Sequence, residues 1–193
     1  MKKVGFFSGS FNPIHNGHIA IAEYMVGAGG LDEVWFSVTP QNPVKRECDL
    51  LDDGKRQAMV KLAIAGNKRF RLCDVEQHLP RPSYTITALQ RLEREYPDTE
   101  FHLLIGSDNW AIFPRWKESE KIIADYRIDI YPRPGYPVDA AALPPSVRLT
   151  DAPMTDISST AIRAHIAAGK PAEQWIPPTA CRYIMEHDLY KNG

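Results

Sequence analysis

Cysteine is scarce in this chain, and the few that occur form no pattern. Cys48, Cys73 and Cys181 are the only three in 193 residues. They are too scattered for a C-x-x-C metal site and too few for a disulfide framework. A reducing, cytoplasmic setting is the expectation. No apolar run approaches the roughly 20 residues of a bilayer span, so no membrane partner is expected. Met1-Lys2-Lys3 resembles the basic start of a secretion signal, but the apolar run behind it is too short. Positive charge is not in excess, at 23 Lys and Arg against 24 Asp and Glu, which argues against a general nucleic-acid binder. Repeats, low-complexity tracts and linker-like stretches are missing too, so residues 1–193 read as one domain. Neither the G-x-G-x-x-G of dinucleotide folds nor the G-x-x-x-x-G-K-[ST] of P-loops occurs at the Gly-rich turn near the start.

What is present is an ordinary globular composition, 44% apolar, patterned as strands and helices in alternation. Lys3 to Ser8 reads as a buried strand, Asn16 to Ala28 as a helix stopped by Gly29-Gly30, and Val34 to Val38 as a second strand. Thr39 to Asp49 is a polar loop. Leu51 to Ala65 reads as a helix, Phe70 to Cys73 as a strand, Asp74 to Pro82 as a loop and Thr85 to Glu95 as a helix before Pro97. Glu100 to Ile105 is a strong buried strand. Lys117 to Ala124 reads as a helix, Tyr126 to Tyr131 and Val147 to Leu149 as strands, and Ser159 to Ala168 as a helix ending at Gly169. The expected fold is α/β: a Rossmann-like, doubly wound parallel sheet in a single domain.

The densest chemistry lies in Gly9-Ser10-Phe11-Asn12-Pro13-Ile14-His15-Asn16-Gly17-His18, between the first strand and the first helix. A strand–turn–helix corner presents free backbone N–H groups and the positive helix end to an anion. Gly9 permits a sharp turn, Pro13 stiffens the loop and Gly17 leaves room between the imidazoles. His15 and His18, three apart at a helix start, can face one side and donate to phosphate oxygens. No serine, cysteine or carboxylate in the stretch is poised as a nucleophile, so charge stabilisation is the expected contribution.

A second corner is Ile157-Ser158-Ser159-Thr160-Ala161-Ile162-Arg163, where two N-cap residues precede an arginine one turn in. It can hold a polyphosphate, but taken by itself it reads first as a plain capped surface helix. Between the two corners, Gly106-Ser107-Asp108 follows the strongest strand, and Asp108 there suits ribose hydroxyls or a helix cap. Trp116 can stack on a planar ring or belong to the core. Lys45 and Arg46, in the loop after the second strand, read equally as an anion clamp or solvated charge.

The first corner closely resembles the signature of the H-x-G-H nucleotidyltransferase superfamily, and Ile157 to Arg163 resembles its second signature. The middle of the chain narrows this: Pro82-Ser83-Tyr84-Thr85, Ile105-Gly106-x-Asp108, Phe113-Pro114-x-Trp116 and the Arg133-Pro134-Gly135 turn are similar to those of the bacterial nicotinate-nucleotide adenylyltransferases. The resemblance covers nearly the whole chain. It implies transfer of the adenylyl group of ATP to nicotinate mononucleotide, with Mg²⁺ accompanying ATP and no metal held by protein side chains. It implies His15, His18 and Arg163 as catalytic, and Gly9, Ser10, Phe11, Gly17, Gly106, Asp108, Ile157, Ser158 and Ser159 as ATP-binding. Lys45, Tyr84, Thr85, Trp116 and Arg133 would bind the mononucleotide. Three departures stand out: Asn12 where aspartate is frequent, Ser107 and Asn109 in place of Ala and Ser, and no Pro-Pro-His before Lys45. Other phosphorylated acceptors (phosphopantetheine, flavin mononucleotide), a nucleotide sensor without turnover, and a metal site on the histidine pair remain alternatives. A homo-oligomer is compatible with the Pro-rich loop Pro132 to Pro145 but not required by it.

Overall fold

The computed structural model describes residues 1–40 and 50–191. Six strands carry the architecture: β1 Lys2–Gly9, β2 Glu33–Val38, β3 Phe70–Cys73, β4 Thr99–Gly106, β5 Arg127–Tyr131 and β6 Val147–Leu149. Every neighbouring pair is parallel. Their order across the sheet is β3-β2-β1-β4-β5-β6, the strand order of dinucleotide-binding folds, with its reversal between β1 and β4.

Parallel strands covered on both faces carry apolar residues almost continuously. In β1, Val4 and Phe6 face one layer and Phe7 the other. In β4, Phe101, Leu103 and Ile105 face the same layer as Val4, and Leu104 faces the opposite one. This is the period of two that sends successive side chains to opposite faces. The layer around Phe7 is closed by α1 Asn16–Val26, α2 Asp53–Ile64, α6 Ser159–Ala167 and α7 Pro178–Glu186. The layer around Phe6 is closed by α3 Thr85–Glu95 and α5 Ser119–Asp125, with the short α4 Ser107–Ile112 at its upper edge. The expected doubly wound sheet is therefore present.

Several boundaries differ from the pattern-based reading, each with a local cause. Helix α2 begins at Asp53 rather than Leu51, because the Asp52 carboxylate caps it by accepting from the Lys55 N–H at 3.2 Å. Helix α5 begins at Ser119 rather than Lys117, because Glu118 takes the left-handed conformation. Asp108 is not the cap of α4; that place falls to Gly106, and Asp108 stands in the first turn. Helix α7, with Pro178 in its first turn, follows the last element expected from the pattern.

Candidate active site

Loops leaving β1 and β4 diverge at the reversal of strand order, and the crevice between them is where such sheets bind ligands. A cleft of about 740 Å³ opens there. Gly9, Ser10, Phe11, His15 and His18 line it from the first loop, Asp108 and Trp116 from beyond β4, and Arg133 from beyond β5. Tyr84 and Thr85 line it from the start of α3, and Ser158, Ser159 and Arg163 from the start of α6. Residues far apart in sequence are thus brought to one cavity. Gly17, Gly106 and Ile157 stand behind the lining, and Lys45 lies outside the described residues.

His15 is the N-cap of α1, and the rings of His15 and His18 stack with centroids 3.7 Å apart and planes 26° from parallel. The His15 backbone N–H donates to His18 Nδ1 at 3.2 Å, so the His18 proton resides on Nε2. His15 is 2% exposed, and its Nδ1 has no hydrogen-bond partner. Burial, with the Arg133 guanidinium as a second influence, pushes its pKa down to about 3. At neutral pH His15 is therefore an uncharged imidazole that can stack on its neighbour without charge repulsion. The Phe11 ring meets His18 edge-on at 5.0 Å, and the Phe11 backbone is held at φ 43. That is a costly conformation for a residue with a Cβ, and such strain gathers at functional loops. Behind the pair, a Cβ on Gly17 would come within 2.7 Å of the Thr155 methyl and 3.0 Å of His15 Nδ1. Glycine there is a packing requirement of the histidine pair.

Helix α6 is strapped across the same loop. Arg163 Nη1 donates to the Asn12 carbonyl at 2.9 Å, and the Ser159 hydroxyl donates to the Pro13 carbonyl at 2.9 Å. Ser158 caps the helix, accepting from the Ala161 N–H at 3.1 Å. The start of α6, with Ser158, Ser159 and Arg163, therefore lines the cleft alongside the histidine loop to which it is bonded. Asn12, buried, accepts through Oδ1 from the Tyr190 hydroxyl at 2.9 Å and from the Leu51 N–H at 3.3 Å. An aspartate could accept both bonds, so these two contacts do not require the amide.

On the far side of the crevice, Asp108 Oδ1 is buried without a hydrogen-bond partner, and Arg133 Nε is 4.0 Å away. A Cβ on Gly106 would lie 2.2 Å from that oxygen, so only glycine admits the carboxylate. An unsatisfied buried acceptor of this kind favours a donor such as a sugar hydroxyl. Beyond α4, Trp116 packs on Phe113 with centroids 5.1 Å apart while still lining the cleft, so it is core and wall at once. Helix α3 starts beside it with neither a side-chain cap on Tyr84 nor an acidic residue in its first turn. Lys117 Nζ sits 4.5 Å above the Tyr84 ring, a cation–π contact at the same rim.

Some lining residues escape the motif-based reading. Ser8, Thr39, Glu76, Ser83, Arg115 and Lys117 all border the cleft. Ser8 and Thr39 carried a positional signal, since they stand at the carboxyl end of β1 and just past that of β2. Glu76 carried none, because a carboxylate in a Pro-rich loop reads as surface. Arg56 is not a lining residue but an organiser. It is fully buried, donating to the carbonyls of Ser10, Thr39, Pro40 and Leu51 and to Asp53. Its signal was an arginine on the buried stripe of α2 with Met59, Val60 and Ile64.

Comparison with known proteins identifies the family. Residues 6–165 match the family model described as cytidylyltransferase-like. A protein of Bacteroides fragilis named as a probable nicotinate-nucleotide adenylyltransferase is 54% identical over 95% of this chain and 92% of its own length. A protein of the same name from Bacteroides thetaiotaomicron is 50% identical over 96% and 92%. Among solved structures, the nicotinic acid mononucleotide adenylyltransferase of Plasmodium falciparum complexed with NaAD matches with a TM-score of 0.86. That match covers 100% of this chain and 99% of the other at 22% identity, a likeness of fold.

Proposed function

Because this chain belongs to the cytidylyltransferase-like family, we infer that its cleft transfers the adenylyl group of ATP to nicotinate mononucleotide, giving nicotinate adenine dinucleotide and pyrophosphate in NAD biosynthesis. The observation that carries the chemistry is that the stacked pair His15–His18 lines one cleft with the start of α6 and with Arg163, which is bonded to the histidine loop. A phosphate oxygen of the mononucleotide attacks the α-phosphorus of ATP. The bond to the bridging oxygen breaks, and pyrophosphate leaves with the electron pair. The attacking phosphate is largely ionised near neutral pH, so no general base is needed. The protein must align two anions and stabilise charge on the α-phosphate and the leaving group. His18 donates from Nε2, and Arg163 with the α6 N–H groups receives the leaving phosphates.

Nucleotidyltransferases acting on ATP use a divalent metal, which we take to be Mg²⁺. Among the described residues no three His, Cys, Asp or Glu side chains converge as a metal cage. The ion would enter with ATP and would supply charge neutralisation at its phosphates. We place Asp108 on the ribose of ATP and Trp116 and Tyr84 against the nicotinate ring. The uncapped α3 terminus and Lys117 favour the ring's carboxylate over an amide. We read residues 1–193 as one domain carrying both substrates. Free thiols at Cys73 and Cys181, with ATP as donor, support a cytoplasmic reading.

The test is pyrophosphate release from ATP and Mg²⁺, with nicotinate mononucleotide, nicotinamide mononucleotide, phosphopantetheine and flavin mononucleotide offered in parallel. Release with the nicotinate acceptor in clear preference is expected. Preference for another acceptor would discard the Tyr84–Trp116 assignment, and ATP binding without release would make the chain a sensor. His18→Ala is expected to lower turnover by ~10²- to 10³-fold, the scale of one lost oxyanion donor.

A further inference from the structure

Three hydroxyls converge on one buried carboxylate beneath the cleft. Ser8 Oγ lies 3.1 Å from Glu76 Oε1 and 3.0 Å from Oε2. Ser37 Oγ and Thr39 Oγ1 reach Oε2 at 3.0 and 3.2 Å. Parallel pairing puts Ser8 directly opposite Ser37, so the strands themselves deliver two of the three donors. Glu76 is 2% exposed. The cation that acts on it, Arg56, is hydrogen-bonded to Asp53 and to four main-chain carbonyls instead. A buried carboxylate without an ion pair is a poor floor for polyanions. It needs another explanation.

The explanation lies in the direction of the protons. A hydroxyl has one proton to give and two lone pairs. An ionised carboxylate can only accept, so it draws the protons of Ser8, Ser37 and Thr39 towards itself. Ser8 also lies 3.0 Å from Thr39 Oγ1, within the same closed network. Ser37 is fully buried, whereas Ser8 and Thr39 border the cleft, and Ser8 is the more open of the two. Towards the ligand, Ser8 therefore presents lone pairs. Phosphate and carboxylate oxygens, which are acceptors, are repelled there, while a sugar hydroxyl is accepted. The position agrees: Ser8 and Thr39 lie at the carboxyl ends of β1 and β2, across the crevice from Asp108 beyond β4.

We propose that Ser8 Oγ accepts a hydrogen bond from a ribose hydroxyl of the acceptor substrate, and that Glu76 is the positioning residue that holds Ser8 in this polarity. The product would then have one ribose read by Asp108 and the other by Ser8. This rests on the reading of the acceptor as a phosphorylated riboside.

The experiment compares nicotinate mononucleotide with its 2′-deoxy and 3′-deoxy analogues, at saturating ATP and Mg²⁺, in the wild type, Ser8→Ala and Glu76→Gln. In the wild type, one deoxy analogue should show a KM about fivefold to tenfold above the ribo acceptor, the effect of one hydrogen bond. In Ser8→Ala that gap should close, with the ribo acceptor rising to the level of the analogue. In Glu76→Gln, whose amide donates as well as accepts, the gap should shrink below about threefold while the KM for ATP stays within about twofold. A purely structural Glu76 would lower the melting temperature and leave the ribo-to-deoxy ratio intact, which would overturn the proposal. Equal KM values for all three acceptors in the wild type would overturn it as well. Should Glu76→Gln not fold, Ser8→Ala decides alone: a retained gap refutes. Absence of any pyrophosphate release by the wild type from the ribo acceptor would instead sink the adenylyl-transfer reading itself.

Discussion

Burial of the uncharged His15 makes a quantitative statement about pH and stability. Its pKa falls from the ordinary 6.5 to about 3 in the folded chain. The unfolded chain therefore binds a proton at mildly acidic pH that the folded chain refuses. Stability from this group is complete above pH 6.5 and is lost as the pH falls from there towards 3. Between pH 7 and pH 5 the loss amounts to about 2 kcal/mol, taking ~1.4 kcal/mol per pKa unit. Glu76 acts in the opposite sense. Burial, partly offset by its hydroxyl partners, raises its pKa from 4.5 to about 6. Its contribution is present below 4.5 and is lost as the pH rises through 6, again about 2 kcal/mol in all. The wild-type curve alone therefore hides much of the histidine effect. Comparison with His15→Gln, which keeps an amide in place of the imidazole and leaves Glu76 untouched, isolates it. Urea denaturation at both pH values should show the wild-type advantage over the variant shrinking by about 2 kcal/mol at pH 5. With a slope near ~2 kcal/mol/M, that is a relative shift of about 1 M in midpoint. Parallel pH dependence in the two proteins would refute the reasoning, because it would mean that folded His15 titrates as it does in water.

Gly17→Ala should destabilise by about 1–3 kcal/mol in a thermal melt, since its methyl would press on Thr155 and the His15 ring, and Thr155→Ser in the same chain should recover part of the loss. Arg56→Met should lower stability by roughly 3–5 kcal/mol, read as a reduced urea midpoint, because it strips donors from four main-chain carbonyls and one of two cationic partners from Asp53, which keeps Arg81. Lys117→Met should reduce kcat/KM for nicotinate mononucleotide about threefold to fivefold, as expected for an exposed charge, and leave the nicotinamide form within about twofold; equal losses on both would assign Lys117 to the shared phosphate.

The first corner was legible from sequence because its residues dictate their own geometry. Pro13, Gly17 and the histidine pair need only the strand before them and the helix after them, and both are local. The sheet was legible for a similar reason, since runs such as Phe101 to Ile105 are buried on both faces and can be little else. What sequence did not reveal depends on distant partners. Helix α7 opens on Pro178 and carries no capping side chain that announces it. It makes sense as a helix when Ala180, Cys181 and Ile184 join the α1–α2 layer and Thr179 Oγ1 donates to the Leu62 carbonyl at 2.8 Å. The carboxylate of Glu76 is buried only because Ser8, Ser37 and Thr39 arrive from two other strands. The neutrality of His15 likewise depends on what covers it, and the spacing H-x-G-H says nothing about burial.

Tyr190 and Asn12 are 178 residues apart, yet one hydrogen bond joins them beside the histidines. On a ribosome adding roughly 5–20 residues per second, that separation is about 10–35 s. During this interval β1 and α1 have emerged, but the loop between them still lacks Tyr190 and the α6 strap. A nascent chain therefore carries the histidines well before it carries the completed pocket. Affinity for nucleotide should arrive late in synthesis, as a sign that the fold has closed.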